Sequence, residues 1–449
     1  MMLSSKISSL NKTTVTSVTN VLYRSLSTSS ESAANLTNSF NNRDKKILIH
    51  GSDVAGVSLA LFLKKKGISS ELVDTGSRLD RGILISANAS KALKQNGVFE
   101  SIYRKGKDVT SSIVTSKDGE IYGSCNFEKY DPILPFALTE ATFVETLLQE
   151  CLSTPQSGEG SVKLRKGDQR LTLSLPKQQQ QQQGQQQKIY VGYSETSKAA
   201  YDLVVGSEGY GQTSDLLSTS PVRNYLLKDA SVPQTTQYAE QLYHFKTVIN
   251  KPSLFPAIVH QQFATEKRLL TFPLPNDRLA ISGSFKRPLN QIGEPENARN
   301  KIFNTFTDFE DIGAHTVISF LESAPENLKL EKSDQHRLQS YISSTGNIVA
   351  ISDAADKLAS GSFESNFIGI EDAYRLSEML SQSPESISQI LESFNRDRQQ
   401  RMKLILAAID QQEKVVYKGG WQVRTLGKYY LKFYYSQRQQ AKRLRELRK

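Results

Sequence analysis

The chain of 449 residues is poor in sulfur and imidazole, with 2 cysteines, 4 methionines and 5 histidines. Cys125 and Cys151 are too few for a disulfide scaffold or a cysteine-based zinc cluster, and they fit a reducing compartment. His50, His244, His260, His315 and His336 stand far apart without metal-ligand spacing, so no metal site is expected. Long hydrophobic runs are missing too. The longest mainly apolar stretch, Gly56 to Leu63, stops at Lys64 to Lys66, well short of the roughly 20 residues a lipid-spanning helix needs. Apolar groups are nonetheless plentiful, at 38% hydrophobic against 23% charged, which supports one full core or two and excludes a wholly disordered or fibrous chain.

The formal charge of +10 sits at the two ends. Residues 1–43 carry four basic side chains against Glu31, residues 418–449 carry ten against Glu446, and the body between them is slightly acidic. The overall pI therefore makes no case for nucleic acid, no recognised motif accompanies the charge, and no nucleic-acid partner is expected. Residues 1–43 are crowded with serine and threonine, hold Lys6, Lys12 and Arg24, and have no acid before Glu31. That is the composition of a mitochondrial transit peptide, and a plain polar tail is the alternative. In residues 418–449, Leu426, Tyr429, Tyr430, Phe433 and Tyr434 recur at helical spacing among Lys428, Lys432, Arg438 and Lys442. Residues 421–449 would suit peripheral contact with an anionic surface such as the inner mitochondrial membrane, or the stripe packs on the protein's own body.

Between the ends, Ile47 to Ile49 read as a strand, Val57 to Leu63 as a helix closed by Gly67, and Glu71 to Asp74 as a second strand. Ala141 to Cys151 has helical apolar spacing. The glutamine-rich run at 178–187 lies between the alternating Leu171, Leu173 and Leu175 and the run Ile189 to Val191, which predicts strand, polar loop, strand. From 216 to 339, short alternating runs such as Leu269 to Phe272 and Leu279 to Ser282 predict a second, sheet-based domain.

His50-Gly51-Ser52-Asp53-Val54-Ala55-Gly56 falls at the strand-to-helix turn where a dinucleotide-binding unit places its glycines, and Asp74 closes the next strand. Gly51 and Gly56 fit the pattern, while Asp53 replaces the middle glycine. An aspartate at a helix start accepts hydrogen bonds from the free N–H groups and favours the positive end of the dipole, so Asp53 is placed to imitate a phosphate and to repel a real one.

Two further segments carry a resemblance. Tyr201 to Gly209 (YDLVVGSEG) resembles the DLxVGADG segment of the FAD-dependent aromatic-ring monooxygenases, the group of para-hydroxybenzoate hydroxylase and the ubiquinone-biosynthesis hydroxylases. Ile348 to Asp356 (IVAISDAAD), followed by Phe367 to Ala373 (FIGIEDA), is similar to that family's LxGDAAH segment and the helix after it. The resemblance spans roughly residues 45–417 and implies an α/β fold: a discontinuous Rossmann-like FAD/NAD(P)-binding domain (44–215 and 340–417), an inserted β-sheet substrate domain (216–339) and C-terminal helices. It implies FAD as cofactor, NAD(P)H as reductant and a small aromatic or quinone-type substrate. Carried over, Gly51 and Gly56 would flank the pyrophosphate, Asp74 would meet the ribose and Asp353 the ribityl chain. Arg81, Glu208, Gly209 and Asn366, with Asp53, complete the candidate cofactor set. The departures fall on this same set: Glu208 for the family's aspartate, Ser352 for a glycine, Asp356 for a histidine, Glu364-Ser365 for a glutamine-glycine pair, and Thr139-Glu140 where an arginine is usual. The core pattern is kept while the cofactor pattern has eroded. Two functions are expected: an FAD-dependent, NAD(P)H-using monooxygenase, or a catalytically silent relative that serves as a mitochondrial binding or assembly protein. No catalytic side chain stands out.

Overall fold

A computed structural model describes residues 44–76, 80–129, 133–167, 171–174, 188–192, 198–208, 220–229, 236–250, 253, 256–286, 298–309, 328, 330–356 and 364–416. Residues 1–43, the glutamine run at 178–187, Gly209 and the basic tail at 418–449 lie outside the described residues. The elements in order are β1 (Ile47–His50), α1 (Val54–Lys65), β2 (Ser70–Asp74), β3 (Gly82–Ile85), α2 (Ala87–Gln95), α3 (Phe99–Tyr103), β4 (Lys107–Asp108), β5 (Ser111–Ser116), β6 (Ile121–Asn126), β7 (Phe136–Thr139), α4 (Glu140–Leu152) and β8 (Val162–Lys166). There follow β9 (Thr172–Ser174), β10 (Ile189–Gly192), β11 (Lys198–Tyr201), β12 (Leu203–Gly206), α5 (Pro221–Lys228), β13 (Thr236–Ile249), β14 (Ile258–Ala264), β15 (Lys267–Leu274), β16 (Arg278–Lys286) and α6 (Ala298–Phe306). The chain closes with β17 (Glu331–Arg337), β18 (Ile348–Ala350), α7 (Ser352–Ala355), α8 (Glu364–Gln382) and α9 (Ile387–Val416).

Five strands form a parallel sheet in the order β18-β12-β1-β2-β8. Its central strands are continuous apolar runs because helices cover both faces, so no alternation survives. Ile49, Val205 and Val349, from three distant stretches, sit side by side in register and fully buried. Helix α1 is buried nearly all round, between the sheet, α4 and α8. Gly67 ends it as the sequence predicts, with φ of +79° and its N–H donating to the Lys64 carbonyl at 3.0 Å.

The larger sheet has seven strands in the order β17-β13-β16-β15-β14-β5-β6. One face packs on α6, with Tyr243, Phe245, Leu269, Ile281 and Phe285 around Ile302 and Phe306. The other face looks at the parallel-sheet region through β3 and β7, with Val259, Leu270, Phe272 and Ala280 against Ala137. Strands β5 and β6 join this sheet from far upstream, β5 running parallel to β14. The linear pattern alone does not signal that pairing. Strands β9 and β10, on either side of the glutamine run, pair antiparallel with Val191 opposite Leu173.

Lys64 stands where the apolar run of α1 stops in the sequence. It is fully buried, and its ammonium donates to the carbonyls of Glu150 (2.8 Å), Cys151 (3.1 Å) and Ser153 (2.7 Å) and to Ser153 Oγ (3.0 Å). These are the orphan acceptors at the end of α4, where the dipole favours a cation. Lys64→Met keeps the stem and removes the charge-assisted bonds, so we expect a loss of about 2–4 kcal/mol of stability. Urea titration reads it as a lowered midpoint at unchanged slope.

Candidate functional site

The carboxyl ends of β1, β12 and β18 meet at one point. Gly51 has φ of +116°, and a Cβ there would lie 2.4 Å from Glu208 Cγ and 2.5 Å from Ser207 Oγ. A Cβ on Gly56 would lie 1.9 Å from the Gly51 carbonyl oxygen, so the first turn of α1 rests directly on the β1 turn. Ser207 Oγ donates to the Gly51 carbonyl at 3.2 Å, and the Ala354 N–H donates to the Ser207 carbonyl at 3.3 Å. Gly51, Glu208 and the Asp353 turn, from three separated motifs, therefore lie side by side.

Asp53 is the N-cap of α1: the Gly56 N–H donates to its Oδ1 at 2.9 Å. Its carboxyl points inward although the residue keeps some exposed surface, and burial raises its pKa to about 6 against the Gly56 and Ser207 hydrogen bonds. Glu208 accepts from the Ser52 N–H at 3.2 Å and from the Thr75 hydroxyl. Burial first, and then the charges of Asp53 and Asp74, push it up to about 7. Asp74 accepts from Ser52 Oγ at 2.5 Å and from the Gly76 N–H at 3.0 Å. Arg81 is ion-paired through Nε to buried Glu140, and the Glu140 N–H returns to the Arg81 carbonyl at 2.9 Å. Asp353 stands on α7, close enough to raise the Asp53 pKa.

Ser352, in the family's glycine place, has φ of +53°, a left-handed backbone that costs a serine roughly 1–2 kcal/mol. Its N–H donates to Asp372 at 2.8 Å, and Asp372 is held by buried Arg398 at 2.8 Å, which also binds Asp356 at 2.7 Å. The resemblance covers Asp356 and the arginine-bearing stretch Phe394 to Arg401, but sequence reasoning assigned no role to Arg398, 42 positions from Asp356. It also missed Ser52, Thr75 and Ser207, small polar residues whose importance depends on which carboxylate they face. Asn366 lies in the first turn of α8, and its side chain is outside the described residues.

No family model matches the chain. An FAD-dependent monooxygenase of Penicillium canescens, olcE, is 21% identical over 424 residues, covering 87% of this chain and 85% of the relative. One from Arthrinium sp, atnA, is 26% identical over 170 residues; that match covers 36% of this chain and spans 21% of the relative's length. Among solved structures, Klebsiella pneumoniae HpxO complexed with FAD and uric acid has a TM-score of 0.68 at 14% identity, covering 87% of this chain and 94% of that one. A salicylate hydroxylase substrate complex has a TM-score of 0.62 at 15% identity, covering 88% and 95%. The chain is thus similar in sequence to FAD-dependent monooxygenases. It has their fold: a Rossmann-like parallel sheet, a mixed substrate sheet and C-terminal helices.

The family binds FAD, and this relative's residues do not fit the dinucleotide's diphosphate. The N–H groups of Gly56 and Ser52, at the start of α1, are already taken by Asp53 and Glu208. Asp53 and Glu208 stand at this turn with Glu140 close enough to raise the Asp53 pKa, and Arg81 is ion-paired to Glu140. A further dianion would meet repulsion where its relatives offer donors.

The same carboxylates set a pH dependence. Asp53 and Glu208 hold protons to higher pH in the folded chain than in the unfolded one. Their contribution to stability is complete below the ordinary carboxylate range and is lost as pH rises through about 6 and about 7. Asp53→Asn combined with Glu208→Gln is therefore expected to exceed wild type in stability by about 1–2 kcal/mol at pH 8, with the gap closing toward pH 5. Paired denaturation curves across that range check it.

Proposed function

We propose that this chain is a small-molecule binding protein built on the monooxygenase scaffold, and that it does not hold FAD at the family's dinucleotide turn. The observation that carries this reading is the pair of carboxylates, Asp53 and Glu208, hydrogen-bonded to the N–H groups that would face a diphosphate. Fold alone assigns no activity, and the site has to decide it. The decisive measurement is equilibrium dialysis of the purified chain against FAD, followed by flavin absorbance. Wild type is expected to leave FAD in solution, and Asp53→Gly with Glu208→Ala to raise its affinity at least about tenfold. Wild-type protein that purifies yellow with stoichiometric FAD overturns the reading.

A second reading has its own support. Gly51, Gly56 and Asp74 are kept, and the relatives matched in sequence are named FAD-dependent monooxygenases. On that reading the chain is an FAD-dependent, NAD(P)H-using oxidoreductase acting on an aromatic or quinone-type molecule, and the same dialysis separates the two.

We further propose that the protein works in mitochondria, held peripherally to the inner membrane by residues 421–449. The acid-poor, hydroxyl-rich segment 1–43 supports the address, and the basic aromatic stripe from Leu426 to Tyr434 supports the membrane contact. A C-terminally tagged chain is expected in mitochondria, shortened by roughly 30–40 residues. Deletion after Tyr417 is expected to abolish sedimentation with liposomes containing anionic lipid. A full-length cytosolic product, or unchanged sedimentation, counts against the respective part.

A further inference from the structure

Asp53 and Glu208 stand half-buried at the nucleotide turn, and each accepts a hydrogen bond from a backbone N–H. Among the described residues neither has a cation within ion-pairing distance. Acids elsewhere in the interior are treated differently. Asp356 and Asp372 close on Arg398 at 2.7 and 2.8 Å, Glu71 pairs with Arg165, and Glu140 pairs with Arg81. A desolvated carboxylate without a cation has two ways left to lower its energy, backbone donors and a proton. Asp53 and Glu208 have the first, and their setting leads to the second.

Titratable and charged groups face the turn from each element packed on it. From β1 comes His50, fully buried, where burial lowers the imidazole pKa to about 4 and keeps the ring neutral above pH 5. From the end of β2 comes Asp74, whose charge raises the Glu208 pKa. From α4 comes Glu140 with its partner Arg81, and from α7 comes Asp353; Glu140 and Asp353 both raise the Asp53 pKa. Helix α8 packs on the first turn of α1, where a Cβ on Gly369 would lie 3.0 Å from Ala55 Cβ. Its acids are matched, Glu371 to Arg401 at 3.0 Å and Asp372 to Arg398 at 2.8 Å. The uncompensated charge acting on Asp53 and Glu208 is therefore negative. Burial first, and these charges after it, hold Asp53 at a pKa of about 6 and Glu208 at about 7. Both residues keep some exposed surface, so solvent delivers and removes the two protons without unfolding.

We propose that the turn from Gly51 to Gly56 is a proton-gated anion site, closed to a dinucleotide diphosphate while Asp53 and Glu208 are ionised and open to it when both carry a proton. A carboxylate only accepts hydrogen bonds, whereas a protonated carboxyl also donates one, so protonation turns two repelling groups into two donors. It also loosens their hold on the Gly56 and Ser52 N–H groups, because a neutral acceptor binds a donor about half as strongly as a charged one. The close approach that Gly51 and Gly56 allow is the same in both states. Binding a dianion then takes up protons, and above both pKa values affinity falls by up to about a hundredfold for each pH unit. The gate rests on the reading that Asp53 and Glu208 exclude the diphosphate, and it states the condition under which that exclusion ends.

The test is equilibrium dialysis of the full chain at pH 5 and pH 8 and constant ionic strength, with FAD as probe and riboflavin as control. The diphosphate diester of FAD keeps both negative charges across this range, so a pH response belongs to the protein. Wild type is expected to bind FAD at least about tenfold more tightly at pH 5 than at pH 8, and riboflavin, which has no phosphate, to show no such ratio. Asp53→Asn combined with Glu208→Gln is expected to bind FAD at pH 8 as wild type does at pH 5, with its own pH response gone. Calorimetric titration of wild type at pH 7, in two buffers of different ionisation enthalpy, is expected to read an uptake of about one to two protons per FAD. A purely structural role for the two acids would move denaturation curves and leave all three readings flat. The gate is overturned by equal FAD affinity at both pH values, by a ratio that riboflavin shares or the double variant keeps, by zero proton uptake, or by no FAD binding to wild type at pH 5. The two readings fail separately. Stoichiometric FAD in wild type at pH 8 removes the flavin-free reading and leaves the affinity ratio to judge the gate, whereas a chain that refuses FAD at both pH values removes the gate alone.

Discussion

The approach of Gly56 to the Gly51 carbonyl is the contact on which the rest of this molecule is assembled. It seats α1 on the end of β1, brings Ser207 of the β12 turn against the same carbonyl, and through Ser207 fixes the start of α7. No side chain larger than hydrogen fits at either glycine, so the geometry is retained whatever the turn binds. In related folds that geometry directs free N–H groups at a phosphate. Here the same groups meet carboxylates supplied by the chain itself. The scaffold and the ligand chemistry are thus separable, because packing demands the glycines and only the side chains around them decide what charge is welcome.

Much of the architecture is legible in the sequence because local chemistry dictates it. Ile47 to Ile49, Leu203 to Val205 and Ile348 to Ile351 are runs apolar on both faces, which only a covered parallel sheet accommodates, and all three lie within it or at its edge. Asp53 is legible as a helix cap and is one. Less legible are features made by long-range geometry. Lys64 reads only as the stop of an apolar run until α4 is folded against it, and β5 and β6 enter a sheet whose other strands begin more than a hundred residues later. The departures from the family pattern at Glu208 and Glu140 are visible in the sequence, but their effect depends on neighbours such as Thr75, Ser52 and Arg81 that no motif marks.

The buried charges show two strategies. Around Arg398 the chain neutralises itself: Asp356, Asp372 and the Tyr341 ring enclose the guanidinium, and Asp372 at the same time ties down the strained Ser352 turn. This joins α8, α9 and the end of β18 into one electrostatic unit. Near the nucleotide turn, by contrast, like charges accumulate and the proton becomes the balancing ion.

The antiparallel pairing of β9 with β10 carries a consequence for the gene as well as the fold. The two strands hold each other in register on their own account, with Val191 opposite Leu173, so the glutamine repeat only has to close a span between fixed points. Closure entropy grows slowly, by about 0.6 kcal/mol for each doubling of length. Repeat tracts change length readily when DNA is copied, and at this site variation of several codons between individuals would pass almost unnoticed by the folded protein.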